Sequence, residues 1–79
     1  MGDIEYDLVI DVKGLQCPLP LLRTKQKLAD MRSGQVLKVI ATDDNTKISF
    51  TSYLNNSSGY ELLKMEENGD EIHHYIRKK

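Results

Sequence analysis

The residues with the clearest chemical potential are a cysteine and two prolines in the segment Gly14-Leu15-Gln16-Cys17-Pro18-Leu19-Pro20. Cys17 is the single cysteine among 79 residues, so the chain cannot form an internal disulfide or a CxxC redox pair. A lone cysteine is most often a small buried hydrophobic residue, whereas a cysteine at the start of a helix has a lowered pKa and is nucleophilic. Position and flanking residues alone leave both interpretations open.

The neighbours of Cys17 predict a fixed position for its sulfur. Pro18 suits the first turn of a helix, where its missing N–H costs no hydrogen bond. Pro18 and Pro20 also restrict φ at two of the next three residues. Gly14 can provide the turn by which the chain leaves the preceding strand. Several unpaired N–H groups and the positive end of the helix dipole would favour a thiolate at Cys17.

The elements around this segment are predicted to form a strand, a helix and a second strand. Residues 4–12 alternate between apolar and polar and predict a half-buried strand, and residues 18–32 predict a helix. The nearly continuous apolar run at 36–41 predicts a more central strand. Short connections make the two strands parallel, which places the loop 42–46 beside Cys17. The predicted inner faces carry Ile4, Tyr6, Leu8, Ile10 and Val12 on the strand, and Leu21, Leu22, Leu28, Ala29 and Met31 on the helix.

The second half of the chain contains one ambiguous segment and one hairpin. Residues 45–56 alternate like a strand, but they would also bury an apolar arc as a helix, and periodicity leaves both open. Asn68-Gly69 lies between two extended runs, 60–66 and 71–77, and this pattern predicts a β-hairpin. At 79 residues the chain has room for one domain, 1–79, with a thin core formed by a sheet covered on one face.

Composition argues against several classes of function. The 11 basic and 12 acidic residues give a formal net charge of −1, which argues against direct binding of nucleic acid. No apolar run approaches the ~18–20 residues that span a bilayer, and no secretion signal is recognised. We therefore expect a cytoplasmic monomer with a free thiol and no membrane insertion. No phosphate-binding loop or catalytic triad signature is present, so no cofactor is expected.

Other polar residues are candidates for chemistry or binding. Neighbouring residues on a strand point to opposite faces, so His73-His74 is not expected to bind a metal. Arg23, Lys25 and Lys27 follow Cys17 on the predicted helix and are either a solvated face or a docking surface for an acidic partner. Arg77-Lys78-Lys79 is interpreted as a solubilising tail at the sheet edge away from Cys17.

Most of the chain resembles a known family. The run Asp11-Val12-Lys13-Gly14-Leu15-Gln16-Cys17-Pro18-Leu19-Pro20, a helix and then Gly34-Gln35-Val36-Leu37-Lys38-Val39 resemble the TusA/SirA family of small sulfur carriers, whose hallmark is C-P-x-P. The similarity continues through Gly59-Tyr60-Glu61-Leu62-Leu63 and the final hairpin. This resemblance implies an α+β fold, a two-layer β-α-β-α-β-β sandwich with a mixed four-stranded sheet and two helices on one face, and therefore a helix at 45–56.

The resemblance also implies a function. In that family the cysteine thiolate accepts a sulfane sulfur, commonly from a cysteine desulfurase, holds it as a persulfide and passes it to an acceptor cysteine. By this resemblance the protein is a sulfur-relay carrier rather than a stand-alone enzyme, and its partners are a sulfur donor and a sulfur acceptor. The residues carried over are Cys17 as carrier, with Gly14, Pro18 and Pro20 as supports; Arg23, Lys25, Asp43 and Asp44 are candidate partner-facing residues.

Two points stay open at this stage. The family's two prolines and second acid are missing from residues 43–51, so a particular acceptor, such as a tRNA-thiolation relay, does not follow from the resemblance. The alternative function is a small regulatory module that binds nucleic acid or a protein and in which Cys17 is structural. Alkylation separates the two, since an exposed thiol of low pKa reacts readily and a buried one slowly.

Overall fold

A mixed four-stranded sheet carries two helices on one face. The computed structural model describes residues 5–16 and 18–79. Its strands occur in the spatial order β1-β2-β4-β3, with β1 and β2 parallel and the other neighbours antiparallel. This arrangement confirms the two-layer α+β sandwich. The elements in chain order are β1 (Leu8–Asp11), α1 (Leu19–Asp30), β2 (Val36–Ala41), α2 (Asn45–Asn55), β3 (Tyr60–Asn68) and β4 (Glu71–Lys78).

The core lies between the sheet and the two helices. Alternate residues of β2 point inward, and residues from both helices pack against them. Each fully buried aliphatic or aromatic side chain contributes about 1.5–3 kcal/mol, so even this thin layer stabilises the fold substantially. One face of the sheet remains uncovered by helix, as predicted. The residues of the buried cluster are Val12, Leu28, Met31, Leu37, Val39, Ala41, Phe50, Leu54 and Ile76.

Helix α1 buries a different stripe from the one predicted. Pro20, Thr24 and Leu28, spaced by four, are buried. Leu22 is 48% exposed and Ala29 is also exposed, so their assignment to the inner arc was wrong. Thr24 tolerates burial because its hydroxyl donates to the carbonyl of Pro20 at 2.8 Å. Because threonine is polar, a pattern of regularly spaced apolar residues does not identify a buried threonine of this kind.

The first strand is shorter than predicted, and Tyr6 lies on the other face. β1 spans only Leu8–Asp11 because the chain bends at Asp7, whose backbone N–H and side chain both hydrogen-bond to the start of β2. Beyond this bend the alternation no longer holds, and Lys38 Nζ on the uncovered face lies 5.1 Å from the centre of the Tyr6 ring. The inward assignment of Tyr6 was therefore wrong, and Ile4 lies outside the described residues.

The ambiguous segment is helical and the hairpin forms. α2 covers Asn45–Asn55, as the family resemblance implied. β3 and β4 pair from Tyr60↔Lys78 to Asn68↔Glu71, so the two loop residues are Gly69-Asp70 rather than Asn68-Gly69. Gly69 has φ +59° in the first loop position, the geometry of a type II′ turn.

The basic C-terminus has a structural contact as well as a solvated part. Lys78 Nζ donates to the carbonyls of Leu28 at 3.0 Å and Met31 at 2.8 Å, at the carboxyl end of α1. A cation in this position satisfies carbonyls that the helix leaves unpaired and complements the helix dipole. Lys78 is therefore more than the solubilising residue that was expected, and it lies at the end of α1 opposite to Pro18.

Candidate functional site

The site is defined by the described neighbours of Cys17, which itself lies outside the described residues. Pro18 occupies the position immediately before α1 and is exposed, and Pro20 is the second residue of the helix and is buried. One proline thus faces solvent at the helix start while the other packs into the core. Cys17 precedes Pro18 in the chain, so its backbone is joined directly to the N-terminus of α1.

The start of α1 offers fewer free backbone donors than predicted. Pro18 and Pro20 have no N–H, and Leu19 donates its N–H to the carbonyl of Gln16 at 2.9 Å. The prediction of several unpaired donors near the cysteine was therefore wrong for Leu19. The first turn contains no acidic residue, so no carboxylate of α1 itself offsets the positive end of the helix dipole.

Two backbone donors attach the loop between β1 and α1 to residues at the end of β2, and a third closes a turn within the loop. Val12 donates to the carbonyl of Ile40 at 2.8 Å and so extends the parallel pairing by one bond. Gly14, with φ +81°, donates to Oγ1 of Thr42 at 2.9 Å, and Leu15 donates back to the carbonyl of Val12 at 3.2 Å. The positive φ of Gly14 supports its predicted role as the turn residue.

A shallow cleft joins this loop to the loop that follows β2. Its volume is about 470 Å³. The expectation that residues 42–46 lie beside the cysteine segment is thus met for the described residues on the N-terminal side of Cys17. The carboxyl ends of two parallel strands meet here, which is where open α/β sheets tend to place their sites. The residues that line the cleft are Gly14, Leu15, Gln16, Thr42, Asp43, Asp44 and Asn45.

The two acids of this cleft have different surroundings. Asp43 Oδ1 accepts the N–H of Asn45 at 3.0 Å, and the Asp43 carbonyl accepts the N–H of Thr46 at 3.0 Å. Asp43 therefore stabilises the start of α2. Asp44 is exposed, and its Oδ1 lies 3.8 Å from Lys47 Nζ.

The basic residues of α1 do not form one surface. Arg23 and Lys27 line a second cleft, of about 560 Å³, between α1 and the end of β1, together with Lys13 and Leu15. Lys25 points elsewhere, with its Nζ 4.7 Å from the centre of the Tyr53 ring of α2. Arg23 and Lys25 are thus both exposed, but they lie on different sides of the helix.

The adjacent histidines face opposite sides of the sheet, as predicted. His73 Nε2 lies 3.0 Å from Oε1 of Glu71, and this hydrogen bond is the main cause of the lowered pKa of Glu71. His74 is fully buried beside Phe50, with ring centres 4.4 Å apart. Burial, with a smaller contribution from His73, lowers the pKa of His74 to about 4. Among the described residues, no group of three or more His, Cys, Asp or Glu side chains could hold a metal ion.

A hydrogen-bond chain connects His74 to the start of α2. The hydroxyl of Thr46 donates to the carbonyl of Asp43 at 2.8 Å, so its single hydrogen is engaged. Oγ1 of Thr46 lies 3.2 Å from Nε2 of His74 and must accept there, which places the imidazole hydrogen on Nε2. Nδ1 then carries only a lone pair, and no described residue donates to it. Sequence gave no signal for this contact, since it joins residues 28 positions apart.

Comparison with known proteins places the chain in a family and agrees with its fold. The family model described as Sulfurtransferase TusA matches residues 8–78. The chain is 43% identical over 74 residues to the sulfur carrier protein TusA of Allochromatium vinosum, with 94% of this chain and 96% of that protein covered. It is 42% identical over 75 residues to the putative sulfur carrier protein YrkI of Bacillus subtilis, with 95% and 99% covered.

A solved structure shows the same architecture. The crystal structure of a SirA-like protein from Desulfitobacterium hafniense superposes with a TM-score of 0.76 at 26% identity, covering 90% of this chain and 96% of that one. The fold and the C-P-x-P segment at the start of the first helix together define a small α+β protein of the sulfur-carrier class. The family match identifies it further: the chain belongs to the TusA family of sulfur-relay carriers.

Proposed function

We propose that this protein carries a sulfane sulfur as a persulfide on Cys17, between a donor such as a cysteine desulfurase and an acceptor protein. The observation that carries the proposal is the TusA family match over residues 8–78, a range that includes Cys17-Pro18-Leu19-Pro20. The position of Pro18 directly before α1 supports it, because a thiol next to a helix N-terminus is stabilised as the thiolate.

The transfer step conserves electrons and needs no cofactor. The Cys17 thiolate attacks the outer sulfur of a donor cysteine persulfide, a new S–S bond forms on Cys17, and the donor's S–S bond breaks. The donor cysteine leaves as a thiolate. The outer sulfur keeps its hydrogen as it moves to Cys17. The second transfer repeats the exchange, with Cys17 as the leaving thiolate and the acceptor cysteine as nucleophile. No second cysteine of this chain competes for the sulfur by forming an internal disulfide.

The surroundings of the cysteine segment support contact with other proteins. Leu19 and Leu22 in the first turn of α1 are 45% and 48% exposed, and large exposed hydrophobic residues next to a reactive group favour protein docking. In this proposal Gly14, Pro18 and Pro20 hold the segment in place. Arg23, Lys25, Asp43 and Asp44 are assigned to the surfaces that face the donor and acceptor.

The proposal also covers the setting in which the protein works. A single thiol that must stay reduced between transfers fits the cytoplasm, where glutathione and thioredoxin keep thiols reduced. None of the described helices is both long and apolar enough to cross a membrane. Within this proposal the protein acts as one domain, residues 1–79, and as a monomer that meets donor and acceptor in turn.

Sulfur loading tests the proposal. The protein is incubated with a cysteine desulfurase and free cysteine, and its intact mass is measured. The wild-type chain should gain the mass of one sulfur atom, and the gain should disappear on treatment with a reductant. Cys17→Ser, treated in parallel, should gain nothing. An unchanged wild-type mass, or an equal gain in Cys17→Ser, contradicts the proposal.

A regulatory binding module is the competing interpretation, and native alkylation distinguishes it. In a carrier, Cys17 should react with iodoacetamide in the folded protein below neutral pH, because a low-pKa thiolate is both present and accessible. In a binding module with a structural cysteine, the native protein should react slowly, and reaction should become rapid only in denaturant. The native rate divided by the rate in denaturant at the same pH is the quantity to compare.

A further inference from the structure

The ladder of backbone hydrogen bonds between β1 and β2 ends on a side-chain acceptor instead of a backbone carbonyl, at the point where the chain turns toward Cys17. Residues 8–11 pair with residues 37–40 in regular register, and Val12 continues this pattern by donating to the carbonyl of Ile40. The next donor on this edge is Gly14, two residues later, and regular pairing would direct it to the carbonyl of Thr42. Gly14 instead donates to the side-chain Oγ1 of Thr42 at 2.9 Å.

This replacement lets the loop leave the plane of the sheet while remaining attached to it. A side-chain oxygen extends beyond the backbone of β2, so a donor bonded to it is displaced from the regular ladder. Gly14 has φ +81°, a conformation that turns the chain at this point and that residues with a Cβ rarely adopt. Thr42 thereby fixes the loop three residues before Cys17, from the strand end on the opposite side of the cleft.

We propose that Thr42 is a positioning residue for sulfur transfer, whose hydroxyl anchors the loop that carries Cys17. The inference rests on the proposed function, since it assigns Thr42 a role in presenting the Cys17 sulfur. Gly14 and its hydrogen bond to Thr42 are exposed, so water can hydrate this N–H when the hydroxyl is removed. Loss of the hydroxyl therefore leaves the fold intact and frees the loop.

The test compares two substitutions at one position with a matched control. Thr42→Val keeps the branched shape and removes the acceptor, while Thr42→Ser keeps the acceptor and removes the methyl group. Thr51→Val is the control, since Thr51 of α2 is partly exposed and makes no hydrogen bond through its side chain to another described residue. For each protein, the rate of sulfur loading from a cysteine desulfurase and the pH profile of Cys17 alkylation are measured.

Thr42→Val should load more slowly than wild type, by up to about fivefold, because loss of one ordinary hydrogen bond lowers the ratio of anchored to free loop by about that factor. Its alkylation profile should move to higher pH, because a loose loop no longer holds residue 17 in one orientation relative to the helix N-terminus. Thr42→Ser and Thr51→Val should match wild type in both measurements. Wild-type behaviour of Thr42→Val, or an equal defect in Thr42→Ser, overturns the assignment of Thr42. Failure of wild type itself to load would instead overturn the proposed function.

Discussion

Acid should destabilise this fold through His74, which lies in the core as a neutral imidazole. Its ring is fully buried, packs on Phe50 and donates through Nε2 to Thr46. The unfolded chain binds a proton at His74 with a pKa near 6.5, whereas the folded chain does so only near 4. Below about pH 6.5 the unfolded state therefore binds more protons, and the free energy of unfolding falls as the pH decreases toward 4.

The size of this effect follows from the two pKa values. One pKa unit corresponds to about 1.4 kcal/mol, and the proton that only the unfolded state takes up lowers stability by about 2 kcal/mol between pH 7 and pH 5. The loss approaches about 3 kcal/mol at pH 4, where the folded protein also begins to bind the proton. For a domain of this size, about 2 kcal/mol is a large fraction of the total stability.

Urea unfolding at pH 7 and at pH 5 measures the effect. His74→Gln removes the titrating ring, so it should lose about 2 kcal/mol less than wild type over this interval, whatever its stability at pH 7. His73→Gln is the matched control, because it removes the neighbouring ring on the other face and leaves His74 buried. It should keep most of the wild-type pH dependence. Equal losses in wild type and His74→Gln would refute the reasoning.

Two further predictions concern local backbone geometry and the end of α1. Gly14 and Gly34 have φ of +81° and +92°, a conformation that residues with a Cβ rarely adopt. No atom lies within 4 Å of a Cβ added at either position, so alanine would introduce backbone strain without a steric clash. Gly14→Ala and Gly34→Ala should therefore each lower stability by about 1–2 kcal/mol in thermal unfolding. Only Gly14→Ala should also slow sulfur loading; equal loading rates would contradict the role of Gly14. Lys78→Met removes two hydrogen bonds to the carboxyl end of α1 and should cost about 1–2 kcal/mol, whereas Lys79→Met, at an exposed position, should cost little. Similar urea midpoints for the two lysine variants would contradict the capping role of Lys78.

Sequence predicted most of the elements, and the ambiguity of α2 has a geometric cause. The buried residues of α2 are Thr46, Phe50 and Leu54. A spacing of four places them on one face of a helix, but four is also an even number, so the same residues share one face of a strand. Periodicity could not separate the two, and the family resemblance did. For the parallel strands and the hairpin, by contrast, the sequence pattern favoured one type of secondary structure, so their prediction was unambiguous.

The errors arose where tertiary contacts override a local pattern. Tyr6 follows the alternation of β1, but the bend at Asp7 moves it to the uncovered face beside Lys38. Thr24 is polar and yet buried, because the carbonyl of Pro20 accepts its hydroxyl hydrogen. Contacts of this kind depend on where other elements pack, and a linear pattern of apolar residues does not contain that information.

The candidate site was predictable in its motif and less so in its environment. The C-P-x-P motif, the turn at Gly14 and the approach of residues 42–45 all followed from sequence and topology. The hydrogen bond from Gly14 to the side chain of Thr42 did not, because regular pairing would have used the backbone carbonyl instead. Sequence placed Thr42 near Cys17 without indicating that its hydroxyl has a role.

The central claim is that Cys17 both receives sulfur and gives it up, and a two-step transfer tests it most directly. The protein is loaded with a cysteine desulfurase and cysteine, separated from both, and then treated with excess dithiothreitol. One thiol of dithiothreitol takes the outer sulfur, the second closes the cyclic disulfide, and the sulfur leaves as sulfide, which is quantified. Wild type should deliver one sulfane sulfur per loaded chain, and Cys17→Ser none. Release well below one per loaded chain, or equal release from Cys17→Ser, would contradict the carrier function.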